Sequence, residues 1–292
     1  MFRDRFQTLC IQTAAFTGIF ALTLLSFFII RESYPAIKTI GWEMLVSPHW
    51  YPTYREPEYG LLVMLINSLI VTAATSILVI PLGYGLAFFL YEYAWPFEKK
   101  LIKTAIDLLS GVPSVIIGSF LLMTVSPQFL KVGIYSRENL LLTIFGLTLL
   151  SLPFTASLIY DALSGIRSCI RESALALGAT RFTAVFKVVS KTAKSGLMNA
   201  VILTINRVIG ETMVVLMVSG GAAIIPKSLF DPLRPLTAVI ASEMGEVEVG
   251  SIHYSSLFFA GLILFVLSFS LTVLSQKIIG PKNQRLKERS GL

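Results

Sequence analysis

The chain has 292 residues, of which 54% are hydrophobic and only 14% charged. Soluble domains carry about 25% charged residues, so this composition, with a mean hydropathy of +0.75, excludes an ordinary soluble fold and predicts an all-α polytopic membrane protein. The net charge of +7 resides mainly at the chain ends and in loops between apolar runs, which argues for membrane topology and against a nucleic-acid partner.

Six spans are read in chain order. Each is long enough for a helix, since a span needs about 20 residues, and lipid leaves the backbone few other ways to satisfy its polar groups. The first is 8–30. Arg3 and Arg5 precede it, but it exceeds the roughly 7–15 residues of a secretory signal core, so it reads as a retained span. The connection 31–59 carries Trp42, Trp50, Tyr51 and Tyr54, either an interfacial belt or a surface for a partner. The second span, 60–91, contains Pro81 and Gly83. The third, 104–125, holds Asp107 and is interrupted by Gly111-Val112-Pro113-Ser114. Proline removes a donor, and interrupted spans often line transporter paths. Gly111, Pro113 and Ser114 therefore read as a packing kink or as path lining. The remaining spans are 139–160, 196–218 and 254–280.

The connection 226–253 has Pro226, Pro232, Pro235 and an acidic cluster, Glu243, Glu246 and Glu248, read as a solvated face. Its middle, Leu236 to Met244, is apolar enough to dip back into the protein. His49 and His253 lie in polar connections and read as solvated loop residues. Cys10 and Cys169 are far apart and in no metal-ligand spacing, so no metal or disulfide framework is predicted. The whole of 1–292 reads as one transmembrane domain.

Lysine and arginine set the orientation. Lys99, Lys100 and Lys103 lie in the second connection, and Arg167, Arg171, Arg181, Lys187, Lys191 and Lys194 in the fourth. Lys277, Lys282, Arg285, Lys287 and Arg289 follow the last span. The opposite connections are poorer in both residues, so both termini are expected in the cytoplasm.

The fourth connection, 161–195, places Ile170, Ala174 and Leu177 on one helical face. Gly178 can end that helix and begin another carrying Phe182, Val185, Phe186 and Val189. Two short amphipathic helices at an angle suit either the membrane surface or the groove of a partner protein.

The fifth span contains an energetic anomaly. Arg207 and Glu211 are the only ionisable residues between Leu197 and Val218. An arginine at mid-membrane costs between about 2.5 and 17 kcal/mol, and such residues are candidates for function. In a continuous helix Glu211 lies about 6 Å beyond Arg207 and about 40° round, on nearly the same face. A structural ion pair is the competing reading, although glutamate before the cation is the better helix order and here the order is reversed. No G-x-x-x-x-G-K-[ST] occurs, so the chain carries no ATP-binding loop of its own and no cofactor is predicted.

Glu172, Ala174 and Gly178 match the E-A-A-x-x-x-G cytoplasmic loop of ABC importer permeases, which the chain resembles. Ser173 stands where alanine is usual, and Val188, Ser190 and Lys191 replace the later I-x-L-P positions. Arg207-Val208-Ile209-Gly210-Glu211-Thr212-Met213 is similar to the R-A-I-G-E-T-M segment of phosphate-importer permeases, and Gly111-Val112-Pro113-Ser114 and Gly250-Ser251-Ile252-His253-Tyr254 look like those of their PstC-type subunit. The similarity runs from about Tyr59 to Gln276.

The resemblance implies a type I ABC importer permease fold in a prokaryotic cytoplasmic (inner) membrane. It implies four kinds of partner: a second homologous permease, an ATP-binding cassette ATPase dimer, an extracytoplasmic phosphate-binding protein and membrane lipid. Glu172, Ala174 and Gly178 become the ATPase-coupling residues, and Arg207 and Glu211 residues of the phosphate path. The chemistry fits, since an arginine fork matches phosphate oxygens and stays charged. Glu211 can neutralise Arg207 in an empty path, or accept a hydrogen bond from a protonated phosphate oxygen, which sulfate mostly lacks. The alternatives are a permease for sulfate or molybdate, and more remotely a membrane-embedded enzyme acting on a lipid phosphate. The enzyme needs a base, nucleophile or metal at membrane depth, where only Asp107 is otherwise available and no histidine lies in a span.

Overall fold

The computed structural model describes residues 2–131 and 133–289, with side chains from Cys10 to Lys277 apart from residues 130 and 132. The side chains of Arg3, Arg5, Lys282, Arg285, Lys287 and Arg289, which bear on orientation, lie outside the described residues. The chain divides into two compact units, Met1–Leu62 with Glu243–Ile263, and Val63–Ser242 with Leu264–Leu292.

The first unit begins with α1 (Phe2–Thr39), followed by α2 (Glu43–Val46) and a two-stranded antiparallel ribbon, β1 (Trp50–Tyr51) and β2 (Glu58–Tyr59). Trp50 pairs with Tyr59 in register. Cys10–Thr39 is long and apolar enough to cross a membrane, yet the most apolar part of it has no buried residue. A helix apolar all round and uncovered by its own chain is one that meets lipid or another subunit.

His253 and Glu243 are not simply solvated. The His253 Nε2 lies 2.7 Å from Glu243 Oε2, and Trp50 Nε1 donates to both carboxylate oxygens at 3.1 and 3.2 Å. Trp50 is buried and sits edge-on to the His253 ring at 5.7 Å. Burial pushes the Tyr59 hydroxyl pKa up beside them. The sequence reading missed this cluster because its members are spread over more than 200 residues and only the tertiary fold joins them. Trp42, Tyr51 and Tyr54 remain exposed.

In the second unit α3 (Leu62–Glu92) is the longest buried span, with half of its most apolar window covered. A Cβ on Gly83 would stand 2.8 Å from Thr155 Cγ2, so glycine sets how closely α3 approaches the helix that carries Thr155. After α3, Trp95 opens α4 (Pro96–Ser110): Glu98 accepts the Trp95 N–H at 2.9 Å, and Pro96 occupies the first turn, where its missing donor costs nothing.

The third predicted span is not one helix. α4 and α5 (Ser114–Phe120) are bent by 91° at Gly111–Pro113. Pro113 is extended at φ −59°, ψ 135°, and it begins the second segment where a proline ring cannot continue the first. A π-helical turn, Leu121–Val125, leads into α6 (Ser126–Lys131).

α7 (Leu140–Ser164) is capped by Asn139, whose Oδ1 accepts the Leu142 N–H at 2.9 Å. The connection 161–195 has α8 (Ser168–Ala176), α9 (Arg181–Thr183), a π-helical turn Ala184–Val189, and α10 (Ser190–Thr192). Then come α11 (Lys194–Ile209), α12 (Met213–Val218), α13 (Leu236–Glu243) and α14 (Ile252–Arg289).

The predicted single helix 196–218 is therefore overturned: it is α11 and α12, broken at Gly210–Thr212. Among the described residues, α1, α3, α7 and α14 are each long enough to span, and α4 with α5 makes a bent fifth. The sixth expected span exists only as this broken pair. α13 does dip inward, with Leu236, Ala238 and Val239 buried and the Leu236 N–H donating to Ser68 Oγ at 2.8 Å.

Two apolar cores hold the second unit. One joins Leu121, Leu147, Val214 and Leu233. The other joins Ala87, Ala156, Leu163, Val185 and Val189, so the loop helices are packed into the fold rather than appended to it. Small polar residues link α11 to its neighbours. Thr155 and Thr204 hydroxyls lie 3.0 Å apart, and Asn206 Nδ2 donates to Thr272 Oγ1 at 3.0 Å, the kind of glue helices use in lipid.

Candidate functional site

Arg207 occupies the last turn of α11. It is half-buried, its guanidinium carbon 5.0 Å above the Phe154 ring, and its Nε is buried without a hydrogen-bond partner. Glu211 lies just past the break, and its Oε1 accepts the N–H groups of Met213 and Val214 at 3.2 and 3.4 Å. Among the described residues no ion pair joins Arg207 to Glu211.

This corrects the one-face geometry expected of a continuous helix. Gly210 has no Cβ to favour helix continuation, and the Glu211 carboxylate captures N–H groups that a continuing helix would pair with carbonyls. The break explains the reversed charge order. A cation at the C-terminal end of one helix and an anion at the start of the next each meet a favourable helix end. Backbone N–H groups hold the Glu211 carboxylate, while the Arg207 guanidinium lies against the Phe154 ring.

Beside the break lies a cavity of about 350 Å³ lined by Gly210, Thr212, Thr237, Ile240, Phe265 and Ser268 among others. None of its lining residues is charged, so it offers an anion no counter-charge.

The loop residues separate into two roles. Ala174 is buried, whereas Glu172 and Gly178 are exposed. Gly178 has φ +85°. Its N–H donates to Leu175 O at 2.9 Å and the Ala179 N–H to Ala174 O at 3.1 Å. This is the paired C-terminal closure in which glycine supplies the left-handed residue. Leu177 departs from the expected apolar face: the helix stops at Ala176 and leaves it 89% exposed. Of the second helix, Val185 and Val189 face the core while Phe182 and Phe186 stay exposed and stacked at 5.4 Å.

The sequence reading missed what fixes α8. Arg171, counted only as a topology charge, donates Nε and Nη2 to the two oxygens of Glu92 at 2.6 and 2.5 Å. The Glu92 side chain is 0% exposed. That pair raises the Arg171 pKa above its ordinary value. Gly111, Pro113 and Ser114 lie at the 91° bend, away from the loop cluster in sequence and in element.

Long apolar helices, a bent pair and a spanning segment broken beside a charged residue define a multi-pass membrane protein. The model of the family "Binding-protein-dependent transport system inner membrane component" matches residues 79–285, and the chain belongs to that family of ABC importer permeases. It is 36% identical over 235 residues, 80% of this chain and 75% of the relative, to "Probable ABC transporter permease protein YqgH" of Bacillus subtilis. It is 32% identical, over 89% of this chain and 83% of the relative, to "Phosphate transport system permease protein PstC" of Mesorhizobium japonicum. Among solved structures, a bacterial alginate ABC transporter chain superposes with TM-score 0.65 at 13% identity, over 96% of this chain and 98% of that one, a likeness of fold.

Proposed function

We propose that the chain is one of two permease subunits of an ATP-driven importer of inorganic phosphate. The observation that carries this reading is Arg207, a guanidinium at a break in a spanning helix with its Nε buried and unpartnered. A planar fork of that kind matches a tetrahedral oxyanion. Glu211 adds an acceptor for a protonated phosphate oxygen. The names of several relatives support the same anion.

The two compact units act together as one permease domain with both termini in the cytoplasm. The exposed Glu172 and Leu177, on a helix closed by Gly178 and seated through Ala174, receive the ATPase dimer. A second homologous permease completes the path, which the bend at Gly111, Pro113 and Ser114 helps to line. An extracytoplasmic phosphate-binding protein delivers the substrate, and ATP is hydrolysed by the partner chains.

The test is phosphate uptake by the complete transporter in proteoliposomes. Arg207→Gln lowers uptake by roughly tenfold or more, the scale on which a lost charged partner discriminates. Glu211→Gln keeps phosphate uptake but narrows its margin over sulfate. Unchanged uptake in Arg207→Gln removes the path role.

A further inference from the structure

We propose that the cavity where the loop helices meet the start of α11 binds one anionic phospholipid of the cytoplasmic leaflet; the leaflet follows from the orientation proposed above. The cavity has a volume of about 620 Å³, within the range of small-molecule sites. Lys187, Lys191 and Lys194 line one part and Leu197, Met198 and Val201 another. The lysines lie on three consecutive segments, the π-helical turn, α10 and the first residue of α11. All three are exposed, and among the described residues none has an ion-pair partner.

The ligand must be both anionic and apolar. Cations come first along the chain and apolar side chains follow on α11, over about 10 Å from Lys194 to Val201 at helical rise. The Tyr84 and Ser190 hydroxyls, bonded at 2.7 Å, also contribute to the wall. A phosphodiester headgroup pairs with the lysines, and its acyl chain covers Leu197, Met198 and Val201. Basic pockets beside membrane helices suit such headgroups.

Inorganic phosphate satisfies the lysines but has no use for the apolar wall. The direction of the lysines also separates this site from the substrate path. Arg207 is thirteen residues beyond Lys194, which places it about 140° away round α11. A bound headgroup ties the loop helices to α11, so the lipid fixes the angle at which an ATPase stroke enters the broken span.

The assembled transporter, purified in detergent, is titrated with phosphatidylglycerol, phosphatidylcholine or inorganic phosphate. Bound molecules and subunit composition are read together by native mass spectrometry. One phosphatidylglycerol per copy of this chain is retained, and phosphatidylcholine is not. Replacing Lys187, Lys191 and Lys194 with Gln together weakens that retention roughly a hundredfold, from the usual contribution of three lysines to anionic-lipid binding. If the triple variant fails to assemble, Lys191→Gln alone is measured, with roughly a fivefold loss expected. Equal phosphatidylglycerol retention in wild type and variant overturns the proposal. So does retention of inorganic phosphate that the variant loses, which assigns the lysines to free phosphate.

Discussion

Arg171→Met tests how the loop is mechanically joined to the spans. Arg171 precedes the exposed Glu172, and its guanidinium grips the carboxylate of the last residue of α3. The Glu92 side chain is 0% exposed and that of Arg171 29% exposed. Removing the cation leaves a buried carboxylate without its counter-charge, which costs about 3–5 kcal/mol. At roughly 2–4 °C per kcal/mol for chains of this size, the thermal midpoint of the assembled complex falls by about 6–20 °C.

Arg171→Met with Glu92→Met removes both charges and recovers most of that loss, because an apolar pair of similar volume is often neutral or better. The pH dependence has a definite sign. The folded pKa of Arg171 is raised, so its stabilisation is fully present below the unfolded pKa and is lost only as pH rises through the folded one. Both lie far into the alkaline range, so the Arg171→Met deficit is constant across neutral pH. If α8 transmits force through this pair, the complex carrying the double variant is stable yet moves less phosphate per ATP hydrolysed by its partner chains. A single variant within about 1 kcal/mol of wild type would refute the buried-pair argument. Wild-type uptake per ATP in the double variant would refute the mechanical one.

Gly178→Ala meets no neighbour within 4 Å but places a side chain at φ +85°, which costs about 1–2 kcal/mol. Hydrogen exchange at the Ala179 amide should quicken about five- to thirtyfold, while Gly178→Asn, which tolerates this conformation better, shows a smaller change. Gly83→Val drives a side chain against Thr155, and the overpacking lowers stability by about 1–3 kcal/mol in thermal unfolding of the complex; adding Thr155→Ala restores part of it. Trp50→Phe deletes the indole donor to Glu243 and lowers stability by about 1–3 kcal/mol in the same assay, a loss that a solvated-loop reading does not predict.

The long spans were legible because apolar length is a local property. The bend at Pro113 was legible for the same reason, since proline acts on its own backbone. The break in the fifth span was not, although its cause was in view. Periodicity treats Arg207 and Glu211 as neighbours on a cylinder, and the i,i+4 arithmetic then makes them an ion pair in the unfavourable order. The charge order itself points the other way. A cation followed four residues later by an anion, with a glycine between, suits the end of one helix and the beginning of the next.

The partners Glu92 and Arg171 were hidden for a different reason. They are 79 residues apart, and neither stands out within its own segment. A charged residue at the end of a span is ordinarily a topology signal, and only the complete burial of its side chain distinguishes Glu92 from that background. Trp50 is hidden in the same way, 193 residues from the Glu243 it bonds. Long-range polar contacts leave no period in the sequence, so the charges worth testing are those whose local surroundings give them no reason to be there. Arg207 met that criterion from the sequence, and to it the fold adds a helix break between the two charges and an Nε buried without a partner.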